Sequence, residues 1–239
     1  MLFGCADFLA IADTFADLTA PLVVQATYIG VEEPPEEMSL KGTSWADGSR
    51  VQALLADAGS LDDLQSAPVD DAAVALELDG DVIDLESDSA GNFSASAADG
   101  LGWAEGVDAS LVIDRGGEAL LSLMTPAPPQ ARIASEHAQN QPMEVDLTGQ
   151  AFDNVMVTVL RLEDGKTVYD SLPTDIVGLY ELTHSVGALS IEIPAESFGS
   201  PGVYAVGVMG LVNADPDSYQ GVNLALSAGA IQFSVVTVR

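Results

Sequence analysis

The chain is short of cations, sulfur and imidazole. Of its 239 residues seven are Lys or Arg, one is Cys and two are His, against 37 Asp and Glu, for a formal charge of −30 at pH 7. So acidic a chain repels polyanions, which excludes a nucleic-acid binder that works by neutralising phosphates. It also has no electrostatic footing on an anionic membrane surface. One cysteine builds neither an internal disulfide nor a Cys-based zinc site. His137 and His184 stand outside any H-x-H or H-E-x-x-H string and read as surface or turn residues. The nucleophile elbow G-x-S-x-G, the Walker loop and the dinucleotide G-x-G-x-x-G are missing as well, so enzymatic activity is not expected. No window of about 18 uninterrupted apolar residues exists, so no transmembrane helix is expected.

What remains is ample core material, with 48% hydrophobic residues. Apolar residues recur mostly with period 2. The stretch Leu22–Val31, β-branched and aromatic, reads as a strand that stops at the acidic, Pro-containing run 32–37. Residues 49–67 read as an irregular strand or one short helix. A strand at 73–78, an Asp79-Gly80 turn and a returning strand at 82–85 form the strongest hairpin signal of the first half. A further strand starts at 91–95, and 109–114 with 119–124 form a second hairpin around 115–118. After the Pro-rich TPAPPQ, strands are expected at 142–147, 154–162, 166–169, 178–182, 189–193, 203–212 and 231–238.

The two halves look alike. Residues 73–95 and 157–182 each hold a strand ending in a D-G turn, a second strand and a Gly-x-aromatic opening of a third. This pattern resembles the Ig-like and carboxypeptidase-regulatory-like modules of bacterial exported proteins. Similarly, 198–206 looks like the turn into a late strand of such a module, with Tyr204 as a core or corner residue. The expected fold is mostly β: two antiparallel Ig-like sandwich domains, 21–125 and 137–239, joined by a Pro-rich linker at 126–136. Ahead of them, residues 1–20 hold a short amphipathic helix, because Phe8, Ile11, Phe15 and Leu18 share one helical face.

Leu2-Phe3-Gly4-Cys5 resembles the lipobox of bacterial lipoproteins. The resemblance implies cleavage before Cys5, diacylglycerol on its thiol, and an upstream leader with a basic and an apolar region. It also implies an envelope location, with Ala6 after the cysteine favouring the outer membrane or cell surface. Two or more acyl chains give stable attachment. The lipid-held membrane would then be one partner, and a protein partner or a second copy another.

Calcium is the one cofactor with some support, since hard cations gather carboxylate and carbonyl oxygens. Candidates are Asn213, Asp215 and Asp217 in one turn, and Asp79, Asp81, Asp84, Glu86 and Asp88 in the first hairpin, although neither set matches the EF-hand string. The apolar stretches 203–212 and 221–231 read as core strands; at a sheet edge either would invite assembly. The expected function is a non-enzymatic envelope lipoprotein serving as a structural, adhesion or assembly module. Alternatives are a calcium-stabilised carbohydrate- or protein-binding module and, third, an enzyme of unknown class.

Overall fold

The computed structural model describes residues 22–31, 38, 40–43, 45–57, 68–88, 90–115, 118–174, 178, 179, 182, 187–214 and 223–239. Cys5 and the helix expected within 1–20 lie outside them. The fold is mostly β. The first strands are β1 (Leu22–Val31), β2 (Arg50–Asp57), β3 (Ala73–Leu78), β4 (Asp81–Asp84), β5 (Glu86–Ser87), β6 (Asn92–Ser96), β7 (Asp108–Asp114) and β8 (Glu118–Met124). They are followed by β9 (Glu136–His137), β10 (Met143–Asp146), β11 (Asn154–Arg161), β12 (Lys166–Asp170), β13 (Ser190–Ile193), β14 (Gly202–Asn213) and β15 (Asn223–Val238).

Local chemistry explains the hairpins. Asp79 and Gly80 carry φ of 50° and 90°, the left-handed pair that a two-residue turn needs to match strand twist, and they close β3 onto β4. In β2 and β6 the alternation of apolar and polar residues sends Val51, Ala53, Phe93 and Ala95 inward. Every residue of β1 from Leu22 to Gly30 is buried, as expected of a strand paired on both edges with both faces covered.

One sheet organises the molecule. Its hydrogen-bonded order is β12-β11-β14-β15-β1-β2-β6-β5, with β9 also pairing β15. A four-stranded sheet, β4-β3-β7-β8, and the ribbon β10-β13 stack on it. Side-chain parity shows that both lie on the same face. Leu226 and Ala228 join Leu76, Leu111 and Leu121 in one core, and Val236 and Val238 join Val145, Ile193 and Phe198 in another. All four of these β15 residues are even-numbered, so they project from the same side of the strand. The odd-numbered Ile231 and Phe233 meet Trp45, Met38, Leu179 and Leu182 on the opposite face.

Three expectations are corrected. The strand pairing is not purely antiparallel: β1 runs parallel to β15, from Val23 beside Asn223 to Val31 beside Ile231. Strands expected in separate halves are therefore neighbours in one sheet, and the β1–β15 pairing spans the sequence interval 126–136. Second, the strand expected at 178–182 is not formed, because 178, 179 and 182 are helical. Leu179 and Leu182, three residues apart, share a helical face, and both are buried against the back of the main sheet. Third, the described part of 221–231 runs on without a break into 231–238 as the single strand β15 (Asn223–Val238), and β14 and β15 each have a neighbouring strand on both sides. Edge-to-edge assembly through 204–211 or 227–231 would have to displace a strand already paired there.

Residues 126–134 form no regular secondary structure and pack on the body. The Gln130 N–H donates to Gln150 Oε1 at 2.9 Å, and Gln150 Nε2 donates back to the Gln130 carbonyl at 3.3 Å. Ala131 and Ile133 lie against the second core. At the entry to β14, Tyr204 is buried, and its hydroxyl donates to the Ser200 carbonyl oxygen at 2.8 Å. The expectation of a core or corner tyrosine is met by that contact.

Candidate functional site

Among the candidate calcium ligands, Asn213 is described, while Asp215 and Asp217 lie outside the described residues. The Asn213 side chain is engaged on both sides: its Oδ1 accepts from Ser227 Oγ at 2.6 Å, and its Nδ2 donates to the Leu182 carbonyl at 3.2 Å. Its backbone N–H donates to Asp153 Oδ2 at 2.8 Å. Asp153, 60 positions earlier, is thus the carboxylate the fold brings to this turn, and sequence spacing gave no sign of it. In the first hairpin the acids are spread along strand and turn, and Asp88 is bound internally, accepting from Ala90 N–H at 3.1 Å and Asn92 Nδ2 at 2.7 Å. Among the described residues no group of three or more His, Cys, Asp or Glu is placed to hold a metal ion. His137 ends β9, its Nε2 2.9 Å from the Gln141 carbonyl and its ring 4.7 Å from that of Phe198; His184 lies outside the described residues.

A groove of about 570 Å³, with a mixed polar and apolar lining, opens over the outward faces of β2 and β6. Its floor is built by register. Arg50 lies opposite Ser96 and Gln52 opposite Ser94, while Glu86 on β5 continues the row beyond Ser94. One wall is Asp170, the last residue of β12, with Leu172, Pro173 and Thr174 after it; Asp47, Gly48 and Asp99 close the rim. The amides are oriented in series, Gln52 Nε2 donating to Asn92 Oδ1 at 2.8 Å and Asn92 Nδ2 to Asp88 Oδ2 at 2.7 Å. The stretch 49–67 reads as an irregular strand or a short helix, so the sequence did not show Gln52 facing outward. Its adjacency to Asn92, across 40 residues of chain, was not legible either.

Charge in the groove is fixed by the protein itself. The Arg50 guanidinium lies 3.9 Å above the buried Trp45 ring, a cation–π contact. Burial lowers the Arg50 pKa from its ordinary value, while the nearby Asp170 carboxylate opposes that shift. Asp170 is itself pushed above the usual aspartate range by desolvation, against the pull of the Leu172 N–H and of Arg50. Asp99 Oδ2 accepts from the Ser96 N–H at 2.8 Å and from Ser96 Oγ at 3.0 Å, capping the 3-10 turn Ala97–Asp99.

A second depression, of about 740 Å³, lies between the stacked sheets and is mainly apolar, lined by Leu123, Met124, Pro126, Phe152, Val212 and Ala214 among others. Met124 is 62% exposed there. No helix among the described residues is long and apolar enough to cross a membrane.

No protein-family profile matches the chain, and no curated protein sequence matches it. Similar solved structures include SGBP-B of the Bacteroides ovatus mixed-linkage glucan utilization locus in complex with a mixed-linkage heptasaccharide, at 14% identity and TM-score 0.21, covering 90% of this chain and 43% of that one. Tp47, the 47-kilodalton lipoprotein of Treponema pallidum, is similar at 11% identity and TM-score 0.30, covering 90% and 52%. The fibronectin(III)-like modules of Clostridium thermocellum CbhA follow at 11% identity and TM-score 0.22, covering 91% and 94%. The chain spans about half the length of the first two. These likenesses assign no family. At such scores they carry nothing about ligand or activity.

Proposed function

We propose that this chain is a non-enzymatic cell-envelope module, tethered through Cys5, whose stacked sheets form a stiff structural, adhesion or assembly element. The observation that carries the reading is β15. Sixteen residues long, it contributes Leu226 and Ala228 to one core and Val236 and Val238 to the other. A strand shared by both cores resists hinging between them, which suits a body that holds a position or presents a surface. The Tyr204-to-Ser200 hydrogen bond supports an Ig-like reading of the second core, since sandwiches of that class tie a tyrosine hydroxyl to backbone a few residues upstream at a strand start. The lipobox-like Leu2-Phe3-Gly4-Cys5 supports the tether and, with Ala6, an outer-membrane or surface location.

The test uses the full gene in a bacterial host. Wild-type protein should partition into the detergent phase and incorporate labelled fatty acid, while Cys5→Ser should remain aqueous and unlabelled. Wild-type protein found in the aqueous phase overturns the tether.

A second reading, a binding module, is favoured by the groove over β2 and β6. Calcium would enter that reading at Asn213, Asp215 and Asp217. A ligand bound only to the native state raises its stability by mass action, so a melting temperature unchanged between EDTA and millimolar calcium removes the ion.

A further inference from the structure

We infer that the groove over β2 and β6 is a binding site for an uncharged polyhydroxylated ligand, a glycan chain, held by the side chains of Gln52, Asn92 and Ser94. This rests on the binding-module reading and names its site and ligand class.

The chemistry of the groove narrows the ligand. Its volume, about 570 Å³, falls within the roughly 300–1,000 Å³ of small-molecule sites. A wholly apolar ligand would leave the amide, hydroxyl, guanidinium and carboxylate groups of the floor without partners, although apolar atoms make up about half of the lining. An anion would meet Asp47, Glu86, Asp99 and Asp170 around the groove of a chain carrying −30. A cation would meet Arg50 on the floor, and much of the carboxylate capacity is already committed. Asp99 caps its own turn, Asp170 accepts the Leu172 N–H at 3.0 Å and faces Arg50, and Asp88 receives Asn92. Glu86 on the floor and Asp47 on the rim are the lining acids outside these bonds, and the Arg50 guanidinium on the same floor works against the selection of lysine or arginine there.

What stands on the floor is a row of groups that both donate and accept. A planar amide offers one oxygen and two hydrogens in a plane. The bonds Gln52 Nε2 to Asn92 Oδ1 and Asn92 Nδ2 to Asp88 Oδ2 use one hydrogen of each amide. They leave Gln52 Oε1 and the second hydrogen of each amide outside that series. Ser94 lies directly opposite Gln52, adding a hydroxyl with its own donor and acceptor. Vicinal hydroxyls of a sugar ring match this arrangement, because each hydroxyl gives one hydrogen bond and takes another. The series also fixes the amides before a ligand arrives, which lowers the ordering cost of binding. The floor belongs to paired strands rather than to a loop, so the spacing of the groups is set by sheet register.

The test is a fluorescently labelled form of the intact protein on an array of neutral oligosaccharides, with titration calorimetry on the strongest hit and hexalysine as a competitor. Gln52→Ala and Asn92→Ala should each weaken the hit at least tenfold, and the double variant should abolish it. Glu144→Gln, on the separate ribbon β10-β13, should bind as wild type. Gln52 is exposed and Asn92 half-buried, so both variants should keep the wild-type melting temperature and circular dichroism; Gln52→Glu and Asn92→Asp serve if either alanine variant does not fold. Binding that survives the double variant overturns the groove assignment while leaving the binding-module reading standing. Hexalysine that binds and displaces nothing neutral overturns the ligand class. Silence across the array together with no hexalysine binding overturns the inference and the binding-module reading together, but not the Cys5 tether.

Discussion

The hydroxyl of Tyr204 donates to the carbonyl oxygen of Ser200, four residues upstream, at 2.8 Å. The ring is buried among the second core, 5.7 Å from Phe198, so one side chain both fills the core and pins the 3-10 segment Ala195–Phe198 and the turn after it to the start of β14. Tyr204→Phe keeps the ring and removes the bond. It should cost about 0.5–1.5 kcal/mol, read as a lower urea midpoint with unchanged slope; an unchanged midpoint would show that the bond contributes nothing.

Gly30 is required by a close approach. A Cβ at that position would overlap the indole of Trp103, which packs 4.9 Å from the Tyr28 ring. The Tyr28 hydroxyl in turn donates to the Gly102 carbonyl. Gly30→Ala should therefore destabilise by about 1–3 kcal/mol through overpacking and shift tryptophan fluorescence. In Gly30→Ala/Trp103→Ala the two penalties should be far from additive, since the second change removes the clash. Strict additivity would place the strain elsewhere.

The shared strand β15 predicts one unfolding transition. Both cores lose their floor if β15 leaves the sheet, so neither can melt first at little cost. Scanning calorimetry should give a single peak with equal calorimetric and van't Hoff enthalpies. Two resolved peaks would mean that the sandwiches open separately.

Arg161 grips Asp164 across the β11–β12 turn, its Nη2 2.5 Å from Oδ2 and its Nε 3.0 Å from Oδ1. The hydrogen bond to Arg161 is the main cause holding the Asp164 carboxyl below its ordinary value of 3.8, at about 2. A carboxyl depressed on folding lends stability that is present above its unfolded value and lost as pH falls toward the folded one. Carboxyl NMR should show Asp164 titrating near the lower value, and Arg161→Ala should return it toward the ordinary one.

Arg115 reaches two acids, Asp57 at 2.6 Å and Asp71 at 2.8 Å. Those partners' side chains are 43% and 73% exposed, so water and salt screen the pairs. Arg115→Ala should cost under about 1 kcal/mol. Across the whole molecule repulsion among acids dominates, and adding 0.5 M NaCl should raise the melting temperature. A fall would show that the few ion pairs outweigh the repulsion.

Much of this architecture was legible in order along the chain. The period-2 runs gave β1, β3, β7, β10, β11 and β14, and Asp79-Gly80 announced its hairpin because few sequences accept two adjacent left-handed residues. The stretch 178–182 misled because Leu179 and Leu182 are too few to distinguish a buried helical turn from a strand. Residues 49–67 read as an irregular strand or a short helix, so the outward place of Gln52 was not legible, and nothing local told that it would meet Asn92 or that the end of β12 and the residues after it would face them.

The sequence by itself determined the charge, the β character, the hairpins and the lipobox-like start, because each depends on composition or on neighbours a few residues apart. The tertiary structure decided that β1 pairs with β15, that both cores share one face of one sheet, and that a groove forms between elements from opposite halves. Those pairings follow from which apolar faces can be buried together, a condition on the whole chain that no short window contains.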